Sequence, residues 1–259
     1  MTIAAKVIAD SIADGCPRIT TLQLRYPRFI HSEMMTHRAF SRNASSSRAI
    51  PVDRLIKDVV DDPAMPIHWG SNKPGMQAGE EVKETYWCEE EWLNARDDAV
   101  YRAKEMVALG LHKQIVNRIL EPFAHINVLV TATDWDNFFA LRDHPDAQPE
   151  IAELALAMRE AMAGSEPEHL PYGEWHTPYE PCGFKEVSAA RCASVSYKTV
   201  DGKPMTVDKA LAIYDKLAGS DPKHLSPFEH VATPCPFGDK EKTGNFTRWE
   251  QWRYSVERM

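Results

Sequence analysis

The residues of this sequence whose types and spacing suit chemistry are concentrated between positions 36 and 48. The segment reads Thr36, His37, Arg38, Ala39, Phe40, Ser41, Arg42, Asn43, Ala44, Ser45, Ser46, Ser47, Arg48. Serine hydroxyls, exposed backbone N–H groups and the forked donors of arginine are the groups that an anionic phosphate ester requires. The segment therefore indicates a phosphate-ester site, with a solvated polar loop as the alternative interpretation.

Signatures of other common sites do not occur in the sequence. It contains no G-x-G-x-x-G, no P-loop, no H-E-x-x-H and no G-x-S-x-G. The 10 histidines are spread without the spacing of metal ligands, so we expect no metal site. The five cysteines include no C-x-x-C pair, which favours reduced thiols over disulfides.

A strand and a helix are predicted to position the 36–48 segment. Residues 19–25 alternate with a period of two, which predicts a strand that Pro27 ends. Residues 29–40 then read as the start of a helix. Two stretches rich in proline and glycine, 61–79 and 164–183, are expected to be irregular excursions.

Further helices are predicted from apolar stripes and end signals. One begins near Glu80 and stops at Gly110, and others cover 134–141 and 149–162. A last helix begins after Thr206, whose hydroxyl suits an N-cap. The side chains expected to face inward are Val82, Tyr86, Leu93, Val100 and Val107 in the first helix and Val207, Leu211, Tyr214 and Leu217 in the last. The pattern predicts an α+β fold in which helices dominate.

Length and composition indicate one folded domain over residues 1–259. Hydrophobic residues make up 43% and charged residues 26%, as in ordinary soluble proteins. The net charge of -8 disfavours general binding to nucleic acid, although a local cluster of arginines can still bind a small anion. No apolar run is long enough to span a membrane and the N-terminus lacks a signal-peptide core, so the expected location is cytoplasmic.

The 36–48 segment resembles the signature of the flavin-dependent thymidylate synthases, an R-H-R followed by S-x-N-x-x-S-x-R. The residues at matching positions are His37, Arg38, Ser41, Asn43, Ser46 and Arg48. Residues 226–230 (S-P-F-E-H) are similar to the family's T-P-F-E-H, and 191–197 (R-C-A-S-V-S-Y) to its R-A-A-R-V-S-F. Residues 118–122 (R-I-L-E-P) and 137–142 (N-F-F-A-L-R) are similar to R-I-V-L-P and N-F-L-x-L-R. These motifs span most of the chain.

The motifs occur in an unusual order. In the family the counterparts of 191–197 and 226–230 precede the R-H-R segment, whereas here they follow it. The chain thus resembles a circularly permuted member, and the implied fold has helices packed on a mostly antiparallel sheet. Residues 244–255 faintly resemble the family's helix before R-H-R, so Gln251 or Arg253 is a candidate to reach the site, a terminal amphipathic helix being the alternative.

The resemblance implies a reaction that uses FAD, NADPH and methylenetetrahydrofolate. In the family, C5 of the nucleotide dUMP receives a one-carbon unit from the folate, and the flavin delivers the hydride that completes the methyl group. The family also forms homotetramers whose subunits share active sites. The implied nucleotide-binding residues are Arg48, Ser46, Ser47, Arg118, Arg142 and Glu33, with Arg142 catalytic over the pyrimidine. The implied FAD-binding residues are His37, Arg38, Ala39, Asn43, Ser226, Glu229 and Asn137.

Several positions depart from the family pattern. Thr36 stands where the pattern has Arg, Glu33 where it has Gln and Ala44 where it has Glu. Thr131 and Thr133 stand where it has Asn and Arg, and Asp146 stands where it has His. A carboxylate at Glu33 can accept a hydrogen bond from an exocyclic amine, which makes dCMP an alternative to dUMP.

Other functions are also compatible with the sequence. Hydroxymethylation, in which water rather than hydride quenches the transferred carbon, is an alternative to methylation. Divergent, permuted relatives of this kind resemble bacteriophage enzymes that make modified pyrimidines, and the cytoplasm would then be that of the host. A further alternative is a catalytically silent nucleotide-binding protein that kept the fold.

Overall fold

The computed structural model describes residues 3–180, 182–195, 205–235 and 242–258, with the backbone alone at 242 and 243. The strands are β1 (Ala4–Ala13), β2 (Cys16–Pro27), β3 (Ser41–Ala44), β4 (His125–Ala132), β5 (Glu168–His169), β6 (Ala232–Pro234), β7 (Lys242–Thr243), β8 (Phe246–Thr247) and β9 (Trp249–Gln251). The helices are α1 (His31–Met34), α2 (Val52–Asp61), α3 (Thr85–Ala108), α4 (Lys113–Val116), α5 (Asp136–Arg142), α6 (Pro149–Ala163), α7 (Lys185–Ala193), α8 (Val207–Gly219) and α9 (Arg253–Arg258). Segments of 3-10 helix cover Arg28–Ile30, Asn117–Phe123 and Ser226–His230.

The main sheet is mixed and has the strand order β3-β4-β2-β1-β5. The pairs β1–β2, β2–β4 and β3–β4 are antiparallel, whereas β1–β5 is parallel. The predicted strand over 19–25 is confirmed as part of β2, and Pro27 is its last residue. The α+β architecture, with helices against a mostly antiparallel sheet, agrees with the expectation.

One face of this sheet is covered by α5 and α6. Leu22 and Leu24 of β2 and Val130 of β4 are fully enclosed, and they lie in one cluster with Leu154 of α6 and Phe138 of α5. Burying one such side chain contributes about 1.5–3 kcal/mol. The cluster therefore holds α5, which carries two candidate site residues, firmly against the sheet.

A second cluster of apolar side chains joins α2 and α3 to the segment Asn117–Phe123. Val100 faces it as predicted, but Tyr86 and Val107 are 60% and 43% exposed. The prediction is wrong at Tyr86 and Val107 because α3 begins at Thr85 and turns a face with Ala103 next to Val100 toward the cluster. Gly110, with a φ of +79°, follows the end of α3 as predicted.

The last long helix, α8, begins as predicted and packs differently. Thr206 caps it by accepting a hydrogen bond from the backbone N–H of Lys209. Tyr214 and Leu217 pack against the apolar cluster that contains Phe228, as predicted, whereas Val207 and Leu211 are 50% and 40% exposed, contrary to the prediction. The reason is that α8 meets α7 through the small side chain of Ala210, which brings a different stripe to the interface.

A chain of hydrogen bonds crosses three strands inside the protein. Ser11 Oγ of β1 bonds His176 Nδ1 at 2.9 Å, and His176 Nε2 bonds Thr21 Oγ1 of β2 at 2.7 Å. Thr21 Oγ1 bonds Thr131 Oγ1 of β4 at 2.7 Å, and Thr131 Oγ1 bonds His230 Nδ1 at 2.8 Å. Burial lowers the pKa of each histidine to about 3, so both are neutral at physiological pH.

The two stretches rich in proline and glycine are largely irregular, as predicted. The first is held by Trp92, whose Nε1 donates to the carbonyl of Ala64 at 2.9 Å. The second, of which residue 181 lies outside the described part, is held by Arg18, whose Nη2 donates to the carbonyls of Met162 and Ser165 at 2.9 and 3.0 Å. Among the residues that the structure describes, no helix has the length and apolar character to cross a membrane.

Candidate functional site

The 36–48 segment is a tight turn followed by an edge strand. The predicted helix over 29–40 is reduced to the 3-10 turn Arg28–Ile30 and the four residues of α1. Arg42 explains the early stop, because its Nη1 donates to the carbonyls of Met35 and His37 at 2.9 and 3.1 Å. The guanidinium thereby satisfies carbonyl groups that a longer helix would have paired internally. The chain then enters β3, which pairs with β4.

Three predicted site residues from distant parts of the chain meet at the C-terminal end of α5. Arg142 donates from Nε to His37 Nε2 at 3.0 Å and from Nη1 to Glu33 Oε2 at 2.9 Å. The ring of Phe138, one turn earlier on α5, lies edge-on to the His37 ring at a centroid distance of 4.9 Å. The structure thus brings Glu33, His37 and Arg142 together, as the proposed roles require.

His37 is held in its neutral form. Burial is the main cause that lowers the pKa of His37, and the positive charges of Arg142 and Arg42 lower it further. Because Arg142 Nε donates to Nε2, the neutral ring accepts there and carries its proton on Nδ1. The imidazole therefore acts as a hydrogen-bond acceptor that orients the guanidinium of Arg142.

A second group of predicted residues converges on Glu121. Ser47 Oγ donates to Glu121 Oε1 at 2.5 Å, and Arg118 Nη1 donates to the same oxygen at 2.9 Å. Arg28 Nη2 lies 3.2 Å from this oxygen as well. Asn117 supports the arrangement, since its Nδ2 donates to the carbonyl of Ser47 at 2.7 Å. Arg48 is exposed beside this group in the sequence.

Tyr26 and His31 connect the two groups. Tyr26 Oη and His31 Nδ1 are 2.9 Å apart. Burial lowers the pKa of His31, the charges of Arg28 and Arg42 lower it further, and Glu121 opposes the shift. Burial raises the pKa of Tyr26, and the same two arginines oppose it. The Arg42 guanidinium, which donates to the His37 carbonyl, therefore acts on this pair as well, and the two groups together with Tyr26, His31 and Arg42 are called the cluster.

Motifs from the last third of the chain lie against this cluster. The segment Ser226–His230 packs on β3, and Asn43 Nδ2 donates to the carbonyl of Cys192 at 3.2 Å. Cys192 belongs to the 191–197 motif, whose residues 196 and 197 lie outside the described part of the chain. The charge of Glu229 acts on the Arg42 guanidinium and raises its pKa, although burial lowers it overall.

The C-terminal segment reaches the same place. Gln251 is buried, and its Nε2 donates to Ser41 Oγ at 2.8 Å and to the carbonyl of Glu229 at 3.0 Å. Arg253 forms an ion pair with the Glu229 carboxylate. Gln251 and Arg253 therefore contact residues of the predicted site, and Arg253 does so at the first residue of α9.

Four of the predicted cofactor-binding residues are not drawn into the cluster. Arg38, Ala39, Asn137 and Ser226 are exposed. Within the described part of the chain, no hydrogen bond joins their side chains to the others. Cavities of about 600, 650 and 860 Å³ are lined by other residues. These three cavities therefore lie away from the cluster.

The motif resemblance assigned no role to some residues of the cluster. Arg28, Arg42 and Glu121 are central to it, yet they were not among the predicted site residues. The one visible signal was Glu121, a charged residue where the family pattern R-I-V-L-P has an apolar one. In the described residues no set of His, Cys, Asp and Glu side chains is arranged to hold a metal ion.

The charge of the cluster contrasts with that of the whole chain. Its glutamates are Glu33, Glu121 and Glu229, and its arginines are Arg28, Arg42, Arg118, Arg142 and Arg253. The arginines outnumber the glutamates in a chain whose net charge is -8. An excess of guanidinium groups on a locally formed surface attracts small anions.

The chain is similar in sequence to a protein family and in fold to solved structures. Residues 19–168 match the model of a family described as thymidylate synthase complementing protein. The fold is similar to the crystal structure of a UMP/dUMP methylase PolB from Streptomyces cacaoi bound with 5-Br dUMP, with a TM-score of 0.53 and 16% identity over 62% of this chain and 90% of that chain. For PolB bound with 5-Br UMP the TM-score is 0.49 and the identity 18%, over 62% and 88% of the two chains. No curated protein matches the sequence.

Proposed function

Because the chain belongs to the thymidylate synthase complementing protein family, we propose that it is a flavin-dependent enzyme acting on a pyrimidine deoxynucleotide monophosphate. It transfers a one-carbon unit from methylenetetrahydrofolate to C5 of the base, with dUMP as the substrate. The observation that carries the proposal is the convergence of His37 and Glu33 on the guanidinium of Arg142, all three within the matched range.

The nucleotide phosphate is assigned to the arginine and serine group. Ser46, Ser47, Arg48 and Arg118 would donate to it, and a charge-assisted bond from arginine contributes about 1.5–3 kcal/mol. Ser47 and Arg118 already point their donors at one shared oxygen, that of Glu121. This shared target is the geometry that a phosphate oxygen would need.

The base is assigned to Arg142, with Glu33 beside it. The guanidinium donates hydrogen bonds, so it suits the carbonyl oxygens of a pyrimidine. C5 is nucleophilic in an enolate form of the base, in which negative charge lies on a carbonyl oxygen, and a fixed cation beside that oxygen stabilises this form. His37 and Glu33 hold the guanidinium in one plane, so little reorganisation is needed as the charge develops.

The residues assigned to FAD carry polar groups of the kinds that a flavin cofactor needs. The donor set consists of exposed Arg38, Asn137 and Ser226 with the neutral ring of His37, which suits a ligand bearing phosphates and a polar ring edge. Ala39, Asn43 and Glu229 would complete the FAD site. A bound flavin, reduced by NADPH, would supply the hydride that completes the methyl group.

The permuted order and a homotetramer belong to the same proposal. Two contacts support a site built from motifs in permuted order. The segment Ser226–His230 packs on β3, and Asn43 donates a hydrogen bond to the Cys192 carbonyl. Sharing of the site between subunits would enclose the substrate and exclude water. The proposed domain is the whole chain, residues 1–259.

Glu33 favours a second candidate within the same class. Its carboxylate, paired with Arg142, replaces the amide of the family pattern and can accept from the exocyclic amine of cytosine. The alternative substrate is therefore dCMP, with methylation or hydroxymethylation of C5 as the outcome.

The visible absorption spectrum of the purified full-length protein, with and without added FAD, tests the proposal. A bound-flavin band that NADPH bleaches and that dUMP or dCMP shifts is the expected result. Arg38→Gln should weaken FAD binding by about tenfold, whereas Arg102→Gln on the exposed face of α3 should not. A protein that takes up no flavin contradicts the proposal and favours a silent nucleotide-binding protein.

A further inference from the structure

A carboxylate lies among the groups assigned to the nucleotide phosphate. Glu121 Oε1 accepts hydrogen bonds from Ser47 Oγ at 2.5 Å and Arg118 Nη1 at 2.9 Å, and Arg28 Nη2 is 3.2 Å away. Two cationic donors and one hydroxyl thus converge on a single oxygen. This is the donor set that a phosphate ester oxygen takes.

The backbone holds this carboxylate in place. Glu121 lies in the 3-10 segment Asn117–Phe123, and its carbonyl accepts from the N–H of Ala124 at 3.2 Å. The N–H of Arg28 donates to the Ala124 carbonyl at 2.9 Å, which ties the two segments together. The Glu121 side chain is 21% exposed, whereas that of Arg118 is 52% exposed. The carboxylate is therefore the more enclosed partner of the pair.

We propose that Glu121 is an internal counter-anion that occupies the phosphate subsite and is displaced when the nucleotide binds. The inference rests on the proposed function, since it takes Ser47 and Arg118 as phosphate ligands. A phosphomonoester carries nearly two negative charges at neutral pH and a carboxylate carries one, so the phosphate competes well for these donors. Two anions cannot share them without repulsion.

Displacement has two consequences for the site. Glu121 lowers the affinity for the nucleotide and selects against weakly charged anions, because a ligand must outcompete a carboxylate already in place. Once Glu121 has left, Arg28 becomes a phosphate ligand as well, a role that the motifs did not assign to it. An apolar residue at position 121, as in the family pattern, could neither compete with the nucleotide phosphate nor pair with Arg28 until the phosphate binds.

The test measures the affinity of the full-length protein for dUMP, dCMP and deoxyuridine by titration calorimetry. Glu121→Gln keeps an acceptor of the same shape and removes the charge. It should tighten the binding of the preferred nucleotide by about tenfold and leave deoxyuridine binding unchanged, because deoxyuridine has no phosphate. Glu89→Gln on exposed α3 removes the same charge elsewhere and should change neither affinity.

The outcomes separate the displacement from the proposed function. Equal or weaker nucleotide binding by Glu121→Gln, with a wild type that binds the nucleotide, overturns the displacement and leaves the proposed function standing. Failure of the wild type to bind both dUMP and dCMP overturns both. If Glu121→Gln does not fold, Glu121→Asp serves instead, because its shorter carboxylate withdraws from Ser47 and should still tighten nucleotide binding.

Discussion

Arg142 and Glu33 are 109 positions apart in the sequence, and Nη1 of the arginine donates to Oε2 of the glutamate at 2.9 Å. The Nε of the same guanidinium donates to His37 at 3.0 Å. Two partners on different nitrogens fix the plane of a guanidinium as well as its position. The surface that a pyrimidine would meet is thus set by α1, the turn after it and α5 together.

Replacing Arg142 tests the role assigned to this guanidinium. Arg142→Gln should weaken the binding of dUMP by at least about tenfold, because a charge-assisted hydrogen bond is lost. Titration calorimetry measures the change. Arg159→Gln is the matched control, since Arg159 lies on α6, is 52% exposed and pairs with Asp143. Equal affinity of Arg142→Gln and the wild type would contradict the assignment.

The identity of the base depends on Glu33. Glu33→Gln should shift the preference from dCMP toward dUMP, because the amide can donate to a carbonyl oxygen whereas the carboxylate only accepts. Turnover of both nucleotides by the wild type and by the variant is the measurement. If neither the wild type nor the variant turns over dCMP, dCMP is excluded as a substrate.

Arg48 is assigned to the nucleotide phosphate. Arg48→Ala should weaken nucleotide binding by about tenfold and leave the unfolding temperature unchanged, because the side chain is exposed. Arg54→Ala on α2, also exposed, is the control for loss of a positive charge nearby in the sequence. Unchanged affinity in Arg48→Ala would refute its role.

Phe138 supports the cluster from beneath. Its ring is 2% exposed and packs on the rings of His37 and Phe40 at centroid distances of 4.9 and 5.3 Å. Phe138→Ala should lower the free energy of unfolding by about 3–5 kcal/mol, since it leaves a cavity in a packed core. Phe184→Ala, at a side chain that is 60% exposed, should cost far less in the same urea titration.

Acid should destabilise the protein steeply. Burial lowers the pKa of His176 and His230 to about 3 and that of His125 to about 4. Below pH 6.5 the unfolded chain binds protons that the native protein does not, so stability falls as the pH falls. The slope approaches about 1.4 kcal/mol per pH unit for each histidine.

Urea unfolding between pH 6.5 and pH 4.5 measures this slope. His176→Gln removes one of the titrating groups and should make the slope shallower by the share of one histidine. A variant whose slope equals that of the wild type would show that His176 does not set the acid sensitivity.

Some elements follow from sequence pattern and others do not. The alternation of 19–25 predicts β2, but β4 is buried along most of its length and places Val128, Leu129 and Val130 in succession, so it lacks the alternation by which periodicity assigns a strand. The pattern does not predict β1, because this strand buries polar side chains. Asp10 is satisfied there by Arg18, at 2.7 and 2.5 Å, which makes a buried carboxylate tolerable in the strand.

The candidate site likewise contains residues that the sequence predicts and residues that it does not. The residue types between 36 and 48 predict a phosphate-ester site, and the motif resemblance adds Arg118 and Arg142 as candidates. The role of Glu121 depends on its contact with Ser47, 74 positions away, and no local pattern encodes such a contact. Arg42 escapes prediction for a related reason, since its partners are backbone carbonyls that every residue carries.

The buried chain from Ser11 through His176, Thr21 and Thr131 to His230 constrains how the strands can pair. A slip of β2 by one residue against β1 or β4 would turn Thr21 to the opposite face and leave both histidines without their partners. Buried polar groups without partners are costly, so misaligned sheets are disfavoured. Because both histidines come from the last third of the chain, that third can dock fully only on a sheet whose alignment is already right.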